Sequence, residues 1–260
     1  VAHQPVVDER DTGNPVAVVH FLVSEKSVMR LTLKNMHLKK DVIKMIAGLG
    51  ISPFIMQSTE SLVTITLNTG LQRYGGDLYV GSMSILMSVM QMITIPVQGI
   101  TQGIQPIISY NYGAKRPKKV IKAWITMSVL ALIYSLIAWG IILLAPKFLI
   151  GIFSSDKSLM IDTIPAMKLY FAAFIFMIFQ YTGQTMFKSL NKKKQAIFFS
   201  LLRKVIIVVP LTYLLPYACH MGCNGVFIAE PVSNILGGSL CFIVMLATVL
   251  PELKRMNPDL

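Results

Sequence analysis

Between Gln91 and Ser109 the polar residues Gln91, Thr94, Gln98, Gln102, Gln105 and Ser109 recur at steps of three and four, and nearly everything between them is apolar. On a helix all of them fall on one narrow stripe. A helix that is greasy all round but carries one amide-rich seam suits a membrane span whose seam faces a wet cavity or a partner helix. Amides facing lipid without partners would each cost several kcal/mol. Pro96 and Pro106 interrupt the segment. Each proline deletes a helical hydrogen bond and crowds the preceding turn, so the helix is expected to bend at both. From Leu78 to Tyr112 such a helix would measure about 52 Å at about 1.5 Å per residue, against a hydrocarbon core of about 30 Å. It must tilt, kink or project beyond the bilayer.

The rest of the chain repeats this theme. Residues are 54% hydrophobic and only 14% charged, with mean hydropathy +0.62, far from the roughly 25% charged of soluble domains. Apolar stretches at about Ile43–Leu67, Leu78–Tyr112, Val120–Leu144, Ile164–Phe187, Gln195–Pro216 and Val226–Leu250 read as six transmembrane helices. The fold class is therefore an all-α membrane protein, a bundle of six transmembrane helices. Residues 1–40 read as a polar arm, with about the first 15 expected to be disordered. The bundle occupies 41–250 and a short tail 251–260. The first span contains Pro53, a further bend position, and places Gln57, Glu60, Ser61, Thr64 and Asn68 on one face, a second polar seam. Arg73 to Asp77 read as the turn between the first two spans. Met83, Met87 and Met90 share a face and read as ordinary packing. The Val120–Leu144 span is apolar nearly all round and reads as lipid-facing scaffold.

Glu60 and Glu230 are the only acidic residues inside these spans. A carboxyl at mid-span cannot cheaply stay ionised against lipid, so Glu60 must be neutral, paired or facing water. It can serve as a carboxylate that exchanges a proton or sodium ion, or it can be an acid that merely holds helices together. Glu230, before Pro231 near a helix start, reads as a snorkelling or capping carboxylate. Arg203 and Lys204 read as snorkelling to the membrane surface. Lys and Arg sort into 20 on one side of the membrane and 4 on the other, out of 24, which places both termini in the cytoplasm. The net charge of +12 thus sets topology, and no nucleic-acid surface is indicated. Cys219, His220 and Cys223 are metal-binding residue types, but with no fourth ligand nearby they read as a loop, and no metal or other cofactor is expected. No phosphate loop, zinc-protease helix or serine elbow occurs, so no catalytic residues are assigned and nothing argues for an enzyme. The chain starts at Val1, and its early apolar run Val16–Val23 is too short for a span or a signal peptide. It reads as a piece of a longer protein.

The run Gly99-Ile-Thr-Gln-Gly-Ile-Gln-Pro-Ile-Ile-Ser-Tyr-Asn-Tyr-Gly-Ala114 resembles the eighth-helix signature of the MATE family of multidrug and toxic compound extrusion transporters, closest to its bacterial multidrug branch. Residues from about His20 to Asp41 are similar to that family's linker between the sixth and seventh helices, and Ala229 to Asn234 to its twelfth helix. The resemblance covers about Phe21 to Leu253 and maps onto the second of two six-helix lobes. It implies a membrane antiporter that expels small cationic or amphipathic compounds in exchange for H+ or Na+, working with the missing N-terminal lobe in the cell membrane. On that reading Glu60 is the ion-coupling candidate, and Gln57, Thr64, Asn68, Gln91, Thr94, Gln98, Gln102 and Gln105 are candidates for the substrate cavity. A chain with one lobe is expected to be inactive alone. The alternatives are a non-transporting interaction module that dimerises, or half of a lipid-linked saccharide flippase. The neutral to acidic seams disfavour the flippase, whose substrate carries phosphates.

Overall fold

The computed structural model describes residues 40–154, 156–218 and 220–256. Residues 1–39, with the expected disorder of the first of them, lie outside this set, as does Cys219. The chain divides at Ile51/Ser52, and apart from the first turns of α1 the features below belong to the compact unit Ser52–Leu260. All regular structure among the described residues is helical: α1 (Lys40–Gly113), α2 (Pro117–Leu144), α3 (Pro146–Phe153), α4 (Lys157–Tyr170), α5 (Phe176–Ser189) and α6 (Lys193–Leu201) come first. A π-helical stretch Leu202–Val208 then leads into α7 (Val209–Ala218), and α8 (Cys223–Ser233) leads through a second π-helical stretch, Asn234–Gly238, into α9 (Ser239–Met256).

Among the described residues four continuous helical runs are long and apolar enough to cross a membrane: Phe54–Gly113, Pro117–Leu144, Lys193–Ala218 and Cys223–Met256. The first has 60 residues, about 90 Å if straight, three times a hydrocarbon core. It is two passes. Gly76, inside the expected Arg73–Asp77 turn, has φ 69° and ψ −162° and breaks the helix, and Gln72 Nε2 bridges the break to Asp77 Oδ1 at 3.0 Å. That backbone region is open to glycine alone and costs other residues about 1–3 kcal/mol. A Cβ on Gly76 would meet nothing within 4 Å, so only the backbone penalty is at stake. We expect Gly76→Ala to lower stability by about 1–3 kcal/mol, read as a reduced thermal midpoint in detergent. An unchanged midpoint would show that the break is not strained by a side chain.

The expected Ile164–Phe187 span is not one helix. It divides into α4 and α5, joined through tightened three-residue bonds such as Phe174 N to Phe171 O at 3.1 Å and Met177 N to Phe174 O at 3.0 Å. A carbonyl oxygen in such a tightened turn has a second lone pair turned off the helix axis, where it can take a donor from a neighbouring helix. Trp139 Nε1 donates to the Phe171 carbonyl at 2.9 Å. The rings of Phe171 and Phe174, both fully buried, meet edge-on at 5.8 Å between centroids. Counting the two arms of α1 separately and α4–α5 as one interrupted pass, the described residues make the six expected passes.

In α2 the buried positions Val120, Trp124, Met127, Ala131, Ser135, Ala138 and Ile142 recur at steps of three and four. The opposite face exposes Ile125, Val129, Ile133, Leu136, Ile137 and Ile141, an apolar surface suited to lipid. Packing concentrates in two large apolar clusters, with a small third one of Val97, Ala131 and Ile178. One gathers Leu67, Leu71, Met83, Ile93, Phe171, Met177 and Val208, with Met87 and Met90 packed against it. The other gathers Ile108, Trp124, Met186, Phe187, Phe199 and Leu253. Along α1, α5 and α6 with its π extension, the chain passes from one cluster to the other, and the polar residues fall between. At the Ile108 end, Tyr112 Oη donates to Glu252 Oε1 at 2.5 Å and Lys192 pairs with Glu252 Oε2. This clamp ties the end of α1, the α5–α6 turn and the end of α9 together.

Candidate functional site

A cavity of about 300 Å³ opens between the two clusters. Met56, Gln57 and Glu60 reach it from the first arm of α1, and Gln98, Thr101, Gln102 and Gln105 from the second. Gln57 and Gln98 would stand about 60 Å apart on a straight helix, so a shared cavity requires the arms to fold back at Gly76. Helix α5 adds Met177, Gln180, Tyr181, Gln184, Thr185 and Lys188, whose polar members again follow steps of three and four. Ser200 of α6 and Arg203 and Lys204 of the first π-helical stretch complete the wall.

The charges here are paired across helices. The Lys204 ammonium pairs with Glu60 Oε1. Arg203 Nη1 donates to Glu230 Oε1 at 2.9 Å and also to Asn234 Oδ1. Arg203, Lys204, Glu230 and Asn234 are all buried, whereas the Glu60 side chain is 52% exposed. Two basic residues and two carboxylates in a low-dielectric bundle thus neutralise one another, and deleting one member of a buried pair strands the other. Both π-helical stretches serve this geometry. Their five-residue bonds, such as Val209 N–H to the Lys204 carbonyl, rotate side chains out of the ordinary helical register. Gly237 gives the Arg203 stem its passage, since a Cβ there would stand 2.8 Å from Arg203 Cβ and Cγ. Arg203 Nε, Asn234 Nδ2 and Gln180 Oε1 are buried with no hydrogen-bond partner, leaving donors and an acceptor beside the cavity.

The structure brings Gln57, Glu60, Gln98, Gln102 and Gln105 together on the cavity wall, and leaves Thr64, Asn68, Gln91 and Thr94 off it. Thr64 Oγ1 bonds the Glu60 carbonyl at 3.0 Å, and Thr94 Oγ1 bonds the Gln91 carbonyl at 3.2 Å. Hydroxyls that turn back onto their own helix in this way are satisfied without a cavity. Asn68 is half-buried with Oδ1 unpartnered, and Gln91 is exposed. Pro53, Pro96 and Pro106 all lie in helical backbone, the non-helical angles of α1 being confined to Gly76. Pro106 has no N–H for the Gln102 carbonyl, one turn back beside the cavity.

Three expectations change. Arg203 and Lys204 do not snorkel to the surface; they are buried and paired, and without them the excess of basic residues on their side of the membrane still holds. Glu230 is likewise buried against Arg203 rather than snorkelling. The seams themselves are neutral to acidic, but they do not set the character of the cavity, since Lys188, Arg203 and Lys204 from other segments face it with Glu60 as its single carboxylate. Gln180, Gln184 and Thr185 join the site from the interrupted fourth pass, where their helical spacing was the available signal. Among the described residues no three His, Cys, Asp or Glu side chains gather as a metal site.

The chain matches the family model described as MatE over residues 53–214. The "Multidrug export protein MepA" of Staphylococcus aureus (strain N315) is 23% identical over 254 residues, covering 95% of this chain and 53% of that protein. A structure described as "Crystal structure of MATE in the bent conformation" superposes with a TM-score of 0.82 at 17% identity, over 92% of this chain and 53% of the other. The "Outward-facing conformation of a multidrug resistance MATE family transporter of the MOP superfamily" gives 0.81 at 17% identity, over 92% and 53%. The chain spans about half the length of the curated relatives it matches.

Proposed function

This chain belongs to the MatE family, and on that premise we propose that it is one lobe of a secondary transporter that expels small cationic or amphipathic compounds in antiport with H+ or Na+. The observation that carries this reading is the half-exposed carboxylate of Glu60 on a cavity walled by six glutamine side chains. Amides both donate and accept, so they accommodate varied substrates without a fixed charge, while the carboxylate supplies a site at which one cation can replace another. Pro96 and Pro106 weaken the second arm of α1 next to that site and act as its hinges. The bilayer and a first six-helix lobe are the partners, and the excess of Lys and Arg places both termini in the cytoplasm. The coupling ion is the only cofactor, and no covalent chemistry is involved.

A second reading draws on the three cationic side chains facing the cavity, which favour an anionic substrate such as a lipid-linked saccharide phosphate. Ethidium efflux from vesicles, with this chain alone and then with a co-expressed first lobe, separates the cases under imposed proton or sodium gradients. Efflux only with both lobes supports the antiporter and identifies its ion. Efflux by the chain alone would mean that copies of it assemble a working cavity. No efflux in either case, with a symmetric crosslinked dimer, would favour a non-transporting module.

A further inference from the structure

Lys204 presents its ammonium to Glu60 from the buried side, with its side chain only 8% exposed, while the carboxylate is open toward the cavity. No hydrogen bond or ion pair engages Glu60 Oε2 among the described residues. A cation arriving through the cavity therefore meets a carboxylate already holding a cation that cannot diffuse away. We propose that Lys204 is the tethered resident cation of the Glu60 site, occupying the carboxylate when the cavity is empty and giving way to the coupling ion or a cationic substrate. This deepens the antiport reading and rests on it.

The surroundings supply what such an exchange needs. The charged and titratable groups around the pair are Arg203 beside Lys204, Lys188 and Tyr181 from α5, and Glu230 from α8. Glu230, the carboxylate paired with the adjacent Arg203, is the second acid of this charge cluster, so an ammonium displaced from Glu60 still has a carboxylate in its surroundings. Lys204 is carried on π-helical backbone, a local departure from regular helix that recurs at functional sites. While Lys204 sits on Glu60, the wall shows an excess of positive charge and rejects free cations. The tether thus keeps a buried carboxylate neutralised between cargoes and sets a threshold that a cargo must exceed.

The experiment is calorimetric binding of tetraphenylphosphonium, a cation that cannot titrate, to the full chain in lipid nanodiscs. If Lys204 occupies Glu60 about nine-tenths of the time, Lys204→Met tightens binding roughly tenfold, because the competent fraction no longer limits affinity. Lys204→Arg, which keeps a tethered cation, does not tighten it. Glu60→Gln loses binding in both backgrounds. Unchanged or weaker binding by Lys204→Met, with binding still lost in Glu60→Gln, overturns the tether and leaves Glu60 as the site. Binding unaffected by Glu60→Gln overturns both. Should Lys204→Met lose its helical circular dichroism, the infrared carboxylate stretch of the unaltered chain decides. It is expected to shift on tetraphenylphosphonium addition as the ammonium departs, and an absent shift with the cation bound overturns the tether.

Discussion

Replacing Glu60 with Gln in the two-lobe transporter is expected to reduce gradient-driven ethidium efflux to the passive leak, while the chain keeps its helical fold. Antiport needs one acceptor whose occupant alternates between the coupling cation and the substrate, and an amide of the same shape cannot bind a cation by charge. The fold should survive because the Glu60 side chain is 52% exposed, so its pairing with Lys204 contributes less stability than a fully desolvated one. Its amide replacement can still hydrogen-bond the glutamines around it. Undiminished efflux in this variant under both proton and sodium gradients would remove Glu60 from the coupling step.

The largest loss of stability is expected at the neighbouring pair. In Arg203→Met, Glu230 and the Asn234 side-chain oxygen Oδ1 lose the donor that joins them, and a carboxylate 7% exposed loses the cation it is paired with. Removing one partner of such a pair costs about 3–5 kcal/mol, much of it the penalty on the stranded partner. The combined variant Arg203→Met with Glu230→Gln removes both charges and should recover most of that loss, since replacing a whole buried pair is often nearly neutral. Thermal midpoints in detergent test this directly. Equal midpoints for the single and combined variants would mean that Glu230 finds another partner, and the pairing would be irrelevant to stability.

What could be read from the residues was the face a side chain occupies, and what could not was its depth or its partner. The seams Gln57–Glu60 and Gln98–Gln102–Gln105 follow helical steps, and the structure turns both onto one cavity. Thr64, Asn68, Gln91 and Thr94 share those stripes but stand off the cavity, because periodicity fixes an angle about the helix and says nothing of height along it. Gly76 lay within a visible turn. The interruption between α4 and α5 left no such mark, since its tertiary support, a second hydrogen bond to the Phe171 carbonyl, comes from Trp139 of another helix. Arg203 and Lys204 read as surface-seeking because a basic pair one or two turns into an apolar helix usually snorkels. Their burial depends on π-helical register and on the gap Gly237 leaves, neither of which has a periodic signature. One clue was present: two intramembrane acids and two deeply placed bases balance, and charges in a bilayer seldom lack partners.

The Glu60–Lys204 pair joins the first arm of α1 to a segment lying beyond α2, α3, α4, α5 and α6 in the chain. A ribosome makes those elements in order. Glu60 therefore enters the bilayer long before its ammonium partner has been synthesised. During that interval an ionised carboxylate has no counter-charge from Lys204, so the side chain must be inserted protonated or wait in water. The second arm of α1 follows at once across the Gly76 break, bringing Gln98, Gln102 and Gln105 as hydrogen-bonding company for the neutral acid. Where the side chain enters protonated, the glutamine seam gives it hydrogen-bonding partners before any cargo arrives and before Lys204 has been made.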